Sequence, residues 1–254
     1  MARNLNGTSD FLKNTSFSVV AADDITVFFW NFALTPAQNS FGFVIGGSAA
    51  DDRLLCLAPW SNETLYWDYG NATAGDGRLS TSYGAYMNKW TAVGLGAAST
   101  PIMKIYLDGA QVATQNSRGT PTTVTPLRIG TFNETSEFHK GRLAEFTIWN
   151  AFLDAAEHAA LGKGISPLLI RPGSLLFHAP LIGRASPEIE RIGSFNLTLT
   201  GTTQFAHPKI IYPHRRGIRR FTTAAAGGGG ERPLVLSRMD GVGSGNRFLG
   251  NLVH

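Results

Sequence analysis

Charge is scarce in this chain: Asp, Glu, Lys and Arg make up only 16% of its 254 residues. A domain that bound nucleic acid through a uniformly basic surface would carry more, and more evenly spread, positive charge. Cysteine is scarcer still. Cys56 is the only one, so no intrachain disulfide can form and a disulfide-stapled scaffold is excluded. Cys56 lies among Leu54, Leu55 and Leu57, where a thiol acts as a small buried apolar group. No apolar run approaches the roughly 20 residues of a membrane-spanning helix. Residues 1–10 are polar and lack the apolar segment of a secretory signal. The expectation is a protein made and folded in a reducing cytoplasm, with no membrane partner. Its Asn-x-Ser/Thr sites are then read as a by-product of Asn- and Thr-rich loops.

What is present points to β-structure. Hydrophobic residues reach 43%, with 16 Phe and 5 Trp as core material, and 29 Gly with 12 Pro suit many turns. Strands are predicted at 2–5, 10–12, 17–20, 25–32, 41–45, 53–58, 64–69, 78–82, 89–96, 103–107, 110–115, 127–130, 141–149, 175–179 and 196–200. In 25–32 both faces are apolar, which marks a central strand or a strand with one functional face. Asp108-Gly109 between two apolar runs signals a hairpin. Within 141–149, Ala144, Phe146 and Ile148 are expected on one side, with Arg142, Glu145 and Thr147 off that row. A short helix is predicted over 155–161. Asp154 and Glu157 supply a capping box, and Gly162 and Gly164 can end it. Short strands at this spacing imply a two-sheet antiparallel sandwich or jelly roll.

The character changes near residue 212. Residues 213–254 hold Arg215, Arg216, Arg219 and Arg220, then Ala224 to Ala226 and Gly227 to Gly230. Sparse apolar residues follow, among them Leu234, Leu236, Phe248 and Leu249. Such a segment cannot bury enough surface to fold alone. The division predicted is a domain over 1–212 and an extended C-terminal arm over 213–254. The arm's arginines suit an acidic surface or nucleic acid, and its apolar beads suit strand addition or groove filling on a neighbouring protein, which is the favoured reading.

Trp90 to Gly94, Ile105 to Gly109, Leu127 to Gly130, Gly141 to Asn150 and Leu153 to Glu157 form an ordered series. Together with Leu5 to Leu12 and Ile25 to Trp30, it resembles the laminin-G-like, pentraxin-like branch of the concanavalin A-like lectin/glucanase superfamily, over roughly residues 3–208. The resemblance implies a jelly roll in which Trp90 and Trp149 are core or near-core aromatics and Glu145 is tied to polar neighbours. Pro172 to Leu176, Asn196 to Gly201 and His207-Pro208 are similar to a subset found in virion structural proteins of tailed bacteriophages.

Four chemistries follow. A hydrolase on this fold needs two carboxylates alternating on one strand, and no strand here has them; Glu188 and Glu190 follow Ser186-Pro187 in a predicted loop. Calcium would need Asp and Asn oxygens. Asp23, Asp24, Asp51, Asp52, Asp68 and Asp76 carry such oxygens but form no recognisable ligand set, so no cofactor is expected. Sugar stacking would use Trp60, Tyr66, Trp67 and Tyr69, with Tyr83 and Tyr86 nearby, although a share of these rings belongs to the core. The arm would dock on other virion proteins, capsid or tail. The expected function is a non-enzymatic virion component, such as a capsid decoration protein, present in many copies. A glycan-binding adhesion module is the alternative and a glycoside hydrolase a distant third.

Overall fold

Alternating apolar positions build two antiparallel sheets packed face to face. The computed structural model describes residues 1–212 except 36, 48, 50, 51, 74, 184 and 185. The chain divides into two units, Met1–His214 and Arg215–His254. Every arm residue named above (Arg215, Arg216, Arg219, Arg220, Leu234, Leu236, Phe248 and Leu249) lies outside the described residues.

The eight-stranded sheet runs β10 (Ala110–Gln115), β9 (Ile102–Leu107), β8 (Thr91–Ala98), β3 (Ile25–Ala33), β12 (Lys140–Trp149), β1 (Ala2–Asn6) and β15 (Thr203–Phe205). A further strand, β13 (Leu175–Ala179), also pairs with β12. The seven-stranded sheet runs β14 (Thr198–Thr200), β2 (Phe11–Asn14), β11 (Leu127–Ile129), β4 (Phe41–Ile45), β5 (Arg53–Leu57), β6 (Thr64–Gly70) and β7 (Arg78–Ser82). This is the predicted sandwich. The predicted bounds of β4, β7, β10 and β13 match those observed.

Between the sheets lies an aromatic core. Phe29 stacks on Phe146 with ring centroids 6.1 Å apart, Phe146 meets Phe43 at 5.4 Å, and Phe43 meets Trp67 at 5.9 Å. Each such ring removes about 150–250 Å² from water. In β3, Ile25, Val27 and Phe29 enter this core while Phe28 and Trp30 face the other way. Those outward residues are buried in turn by a second layer. The helix α1 (Ala155–Gly162), with Leu153, Leu161 and Ile170, covers the outer face of the eight-stranded sheet. Its capping box is complete: the Glu157 N–H donates to Asp154 Oδ1 at 2.9 Å, and the Asp154 N–H donates to Glu157 Oε2 at 2.8 Å. The hairpin turn between β9 and β10 seats against this helix. A Cβ on Gly109 would meet Ala159 Cα at 2.8 Å, so glycine is required by close approach as well as by its φ of +83°.

Two expectations are corrected and one further strand is added. Residues 17–20 form no strand; Asn14 Oδ1 accepts from the Ser16 and Phe17 N–H groups and turns the chain out of β2, leaving Phe17 and Val19 buried. Strand β15, with all residues exposed, carries too little apolar signal to predict. Most tellingly, Ala144 does not share a side with Phe146 and Ile148. Glu145 has φ +53° and the register with β3 shifts between Ala144 and Thr147, so a β-bulge inverts the count. Leu143, Phe146 and Ile148 enter the inter-sheet core, and Ala144 joins Trp149 on the outer layer. The bulge falls where β12 exchanges one neighbour for another: β1 pairs residues 140–143 and β13 pairs 146–149.

Candidate functional site

The outer face of the seven-stranded sheet is built differently. On β6, Leu65, Trp67 and Tyr69 point into the core, so Tyr66 and Asp68 must point out. Across the ladder Tyr66 sits opposite Leu57 and Asp68 opposite Leu55 on one side, and Asp68 sits opposite Arg78 on the other. Phe41, Leu55 and Leu57 form a small apolar cluster there, joined by the half-buried Trp60, Tyr66 and Phe132. A cavity of about 390 Å³ opens above them, lined by Phe41, Arg53, Leu57, Trp60, Tyr66, Arg78, Phe132 and Glu137. A broader hollow of about 620 Å³, lined by polar loop residues together with Ala37 and Phe138, shares Glu137.

The cavity's charges centre on Asp68, whose side chain is fully buried. Arg78 donates to both its oxygens, at 2.7 and 2.6 Å. Those hydrogen bonds raise the Arg78 pKa above its ordinary value, so the guanidinium stays charged. Arg78 also lies 4.9 Å over the Tyr66 ring. The Arg53 Nη1 approaches Asp68 only to 3.5 Å. Glu137 accepts from Asn39 Nδ2 at 3.4 Å, a long contact that leaves its carboxylate free to accept elsewhere.

The four aromatic residues predicted to stack on sugars separate by strand parity and position. Trp60 and Tyr66 reach the cavity. Trp67 and Tyr69 do not: both are fully buried between the sheets, and burial pushes the Tyr69 hydroxyl up to about 12. Tyr83 is likewise buried, its hydroxyl accepting from Asn31 Nδ2 at 3.0 Å. Arg53, Arg78, Phe132 and Glu137 were not foreseen as site residues. The outward pair Tyr66 and Asp68, on one face of a strand whose other face is apolar, was the available signal.

Other carboxylates are committed within the fold. Glu145 accepts from Tyr212 Oη at 2.6 Å, and His178 Nε2 and His207 Nε2 lie 2.8 and 3.2 Å from its oxygens. Burial alone would raise its pKa; these hydrogen bonds outweigh burial and hold it at about 2. Glu188 pairs with Arg3 at 2.6 Å, and Glu190 accepts the backbone N–H groups of His178, Ile192 and Gly193. Both are buried, so this loop pair is structural. Among the described oxygen-bearing candidates for calcium, Asp52 accepts from Thr122 and Thr123, Asp24 from the Ser99 N–H, and Asp68 from its two arginines. Asp51 lies outside the described residues. Among the described residues no three His, Cys, Asp or Glu side chains converge to hold a metal ion.

Comparison with known proteins agrees with this architecture. A candidate carbohydrate-binding protein from Bacteroides ovatus superposes with a TM-score of 0.59 at 15% identity, over 80% of this chain and 58% of its own. The heptameric SAP-like pentraxin of Limulus polyphemus gives 0.50 at 15% identity, over 63% of this chain and 81% of its own. The binding domain of botulinum neurotoxin serotype D gives 0.47 at 16% identity, over 64% and 47%. At such identities the first two likenesses show the fold alone and the third carries no argument, and the match spans little more than half of the Bacteroides protein. No curated protein matches the chain. Residues 6–157, more than half of the sequence, match the Laminin_G_3 family. The chain therefore belongs to the concanavalin A-like lectin/glucanase superfamily.

Proposed function

We propose that the domain binds glycans without cleaving them, through the cavity on the outer face of the seven-stranded sheet. One observation carries this reading. Trp60, Tyr66 and Phe132 converge there with Arg53, Arg78 and Glu137. Apolar ring faces beside a few oriented polar groups are what an amphipathic sugar ring needs. The neighbouring hollow that shares Glu137 gives room for a chain of more than one sugar. The Bacteroides protein's carbohydrate-binding description is consistent with the reading. Binding without turnover is favoured because hydrolysis needs two carboxylates facing the bond. Here Asp68 is spent on two arginines, leaving Glu137.

A glycan array probed with the full chain tests the proposal. Wild type is expected to bind a defined subset, and Trp60→Ala to lose about tenfold or more in affinity, the equivalent of ~1.4 kcal/mol. Absence of binding to every glycan, or full retention by Trp60→Ala, would contradict it.

The sequence of residues 213–254 supports a second, compatible role. A segment with clustered arginines, a glycine run and spaced apolar residues suits attachment to a larger protein assembly. The proposal is that the chain is a virion component, made in the host cytoplasm, anchored by this arm to capsid or tail proteins and displayed in many copies. Deleting residues 215–254 is expected to abolish incorporation into particles. Normal incorporation of the truncated chain would overturn this role.

A further inference from the structure

The charges around Asp68 do not balance. Arg78 occupies both carboxylate oxygens in the bidentate arrangement that satisfies an arginine–carboxylate pair. Arg53 is left with one contact among the described residues, its Nη1 at 3.5 Å from Asp68 Oδ2, the far limit of a hydrogen bond. Its Nε is buried without an acceptor. Its side chain remains 23% exposed and lines the cavity. A guanidinium in a half-desolvated site with unfilled donors is unfavourable until an acceptor arrives. The acceptor that matches its planar fork and cancels its charge is a carboxylate.

The walls limit what can carry that carboxylate. The half-buried Trp60, Tyr66 and Phe132, backed by the buried Phe41 and Leu57, offer ring surfaces that a small hydrated anion would not use. Glu137 supplies an acceptor for hydroxyl protons. A ring with hydroxyls and one carboxylate uses all three features. We infer that the cavity selects acidic sugars, with the sugar carboxylate on Arg53 and the ring against Trp60 and Tyr66. This rests on the glycan-binding reading and adds the ligand's charge class to it.

The test uses the full chain and uronate- and sialate-bearing oligosaccharides, each paired with its carboxyl methyl ester, which keeps the ring and removes the charge. Titration calorimetry should give at least about tenfold tighter binding of one acid over its own ester. In Arg53→Gln the acid-to-ester ratio should collapse to within about twofold; Arg53→Lys, which keeps charge without the fork, should fall between. A thermal melt checks that both variants fold, as expected since Arg78 still neutralises Asp68. Equal binding of acid and ester by wild type, or an acid preference that survives Arg53→Gln, overturns this inference and leaves glycan binding standing. Failure to bind any of these probes or any glycan of the array removes both.

Discussion

Each outer face of the sandwich carries a carboxylate in the middle of a strand, and the two are treated differently. On the eight-stranded sheet, Glu145 is closed over. The segment bearing His207 and Tyr212 lies on it, His178 flanks it from β13, and all three of these partners come from the fold. The helix α1 and the Ile170 region cover a neighbouring part of that face, with Trp149 Nε1 donating to the Ile170 carbonyl at 2.9 Å. On the seven-stranded sheet, Asp68 has more cation than it can use and the face above it is an aromatic-walled cavity. The difference teaches how to read polar residues on one scaffold. A carboxylate whose partners all come from the fold stabilises the fold. A charge cluster with a donor left over, in a cavity, points outward to a ligand.

Mutations can break this comparison. The largest effect is expected from Trp67→Ala. It should lower unfolding free energy by about 3–5 kcal/mol, because a fully buried indole leaves a void. Trp60→Ala, seven residues away and on the surface cavity, should cost less than about 1 kcal/mol in the same denaturant titration. If the two losses were equal, the division of these aromatics between core and site would be wrong. Next, Glu145→Gln should cost about 3 kcal/mol, since it replaces an acceptor matched to surrounding donors inside the structure. Arg53→Gln, at the other carboxylate, should cost under about 1 kcal/mol, as expected for a partly exposed pair.

Acid should act through buried groups that do not line the cavity. Burial holds His139 at about 3 and His158 at about 4, both below the ordinary 6.5. The unfolded chain takes up protons below 6.5 that the folded chain refuses. This contribution is therefore complete above 6.5 and is lost as pH falls towards 4 and then 3. At one pKa unit per 1.36 kcal/mol, each histidine removes about 2 kcal/mol by pH 5. Glu145 acts in the same direction but later. Its depressed pKa gives stability above the ordinary 4.5 that is lost as pH falls towards 2. A melting series from pH 7 to 4 should show the decline, and His139→Leu should make it shallower. Asp154→Ala, which removes the helix cap, is expected to cost about 1 kcal/mol.

Much of the scaffold was legible because its signals are local. Alternation marked β4, β7, β10 and β13, Asp108-Gly109 marked a hairpin, and Asp154 with Glu157 marked the helix start. The bulge at Glu145 escaped because a period of two cannot register a residue that leaves the count. The site was legible only in part. Tyr66 could be separated from Trp67 and Tyr69 by the same alternation, since Tyr66 shares a face with Asp68. The rest of the cavity could not be assembled, because Arg53, Trp60, Arg78, Phe132 and Glu137 come from separated stretches that meet only through the sheet register and the loop between β11 and β12.

The central claim is that the seven-stranded sheet's outer face, and not the covered one, meets the ligand. Amide and indole NMR shifts of the full chain, followed while titrating a glycan found on the array, test it most directly. The account predicts that shifts cluster on Arg53, Trp60, Tyr66, Arg78, Phe132 and Glu137, with the Trp149 indole unmoved. Shifts concentrated instead around His178, His207 and Tyr212, with the Trp60 indole unchanged, would contradict it.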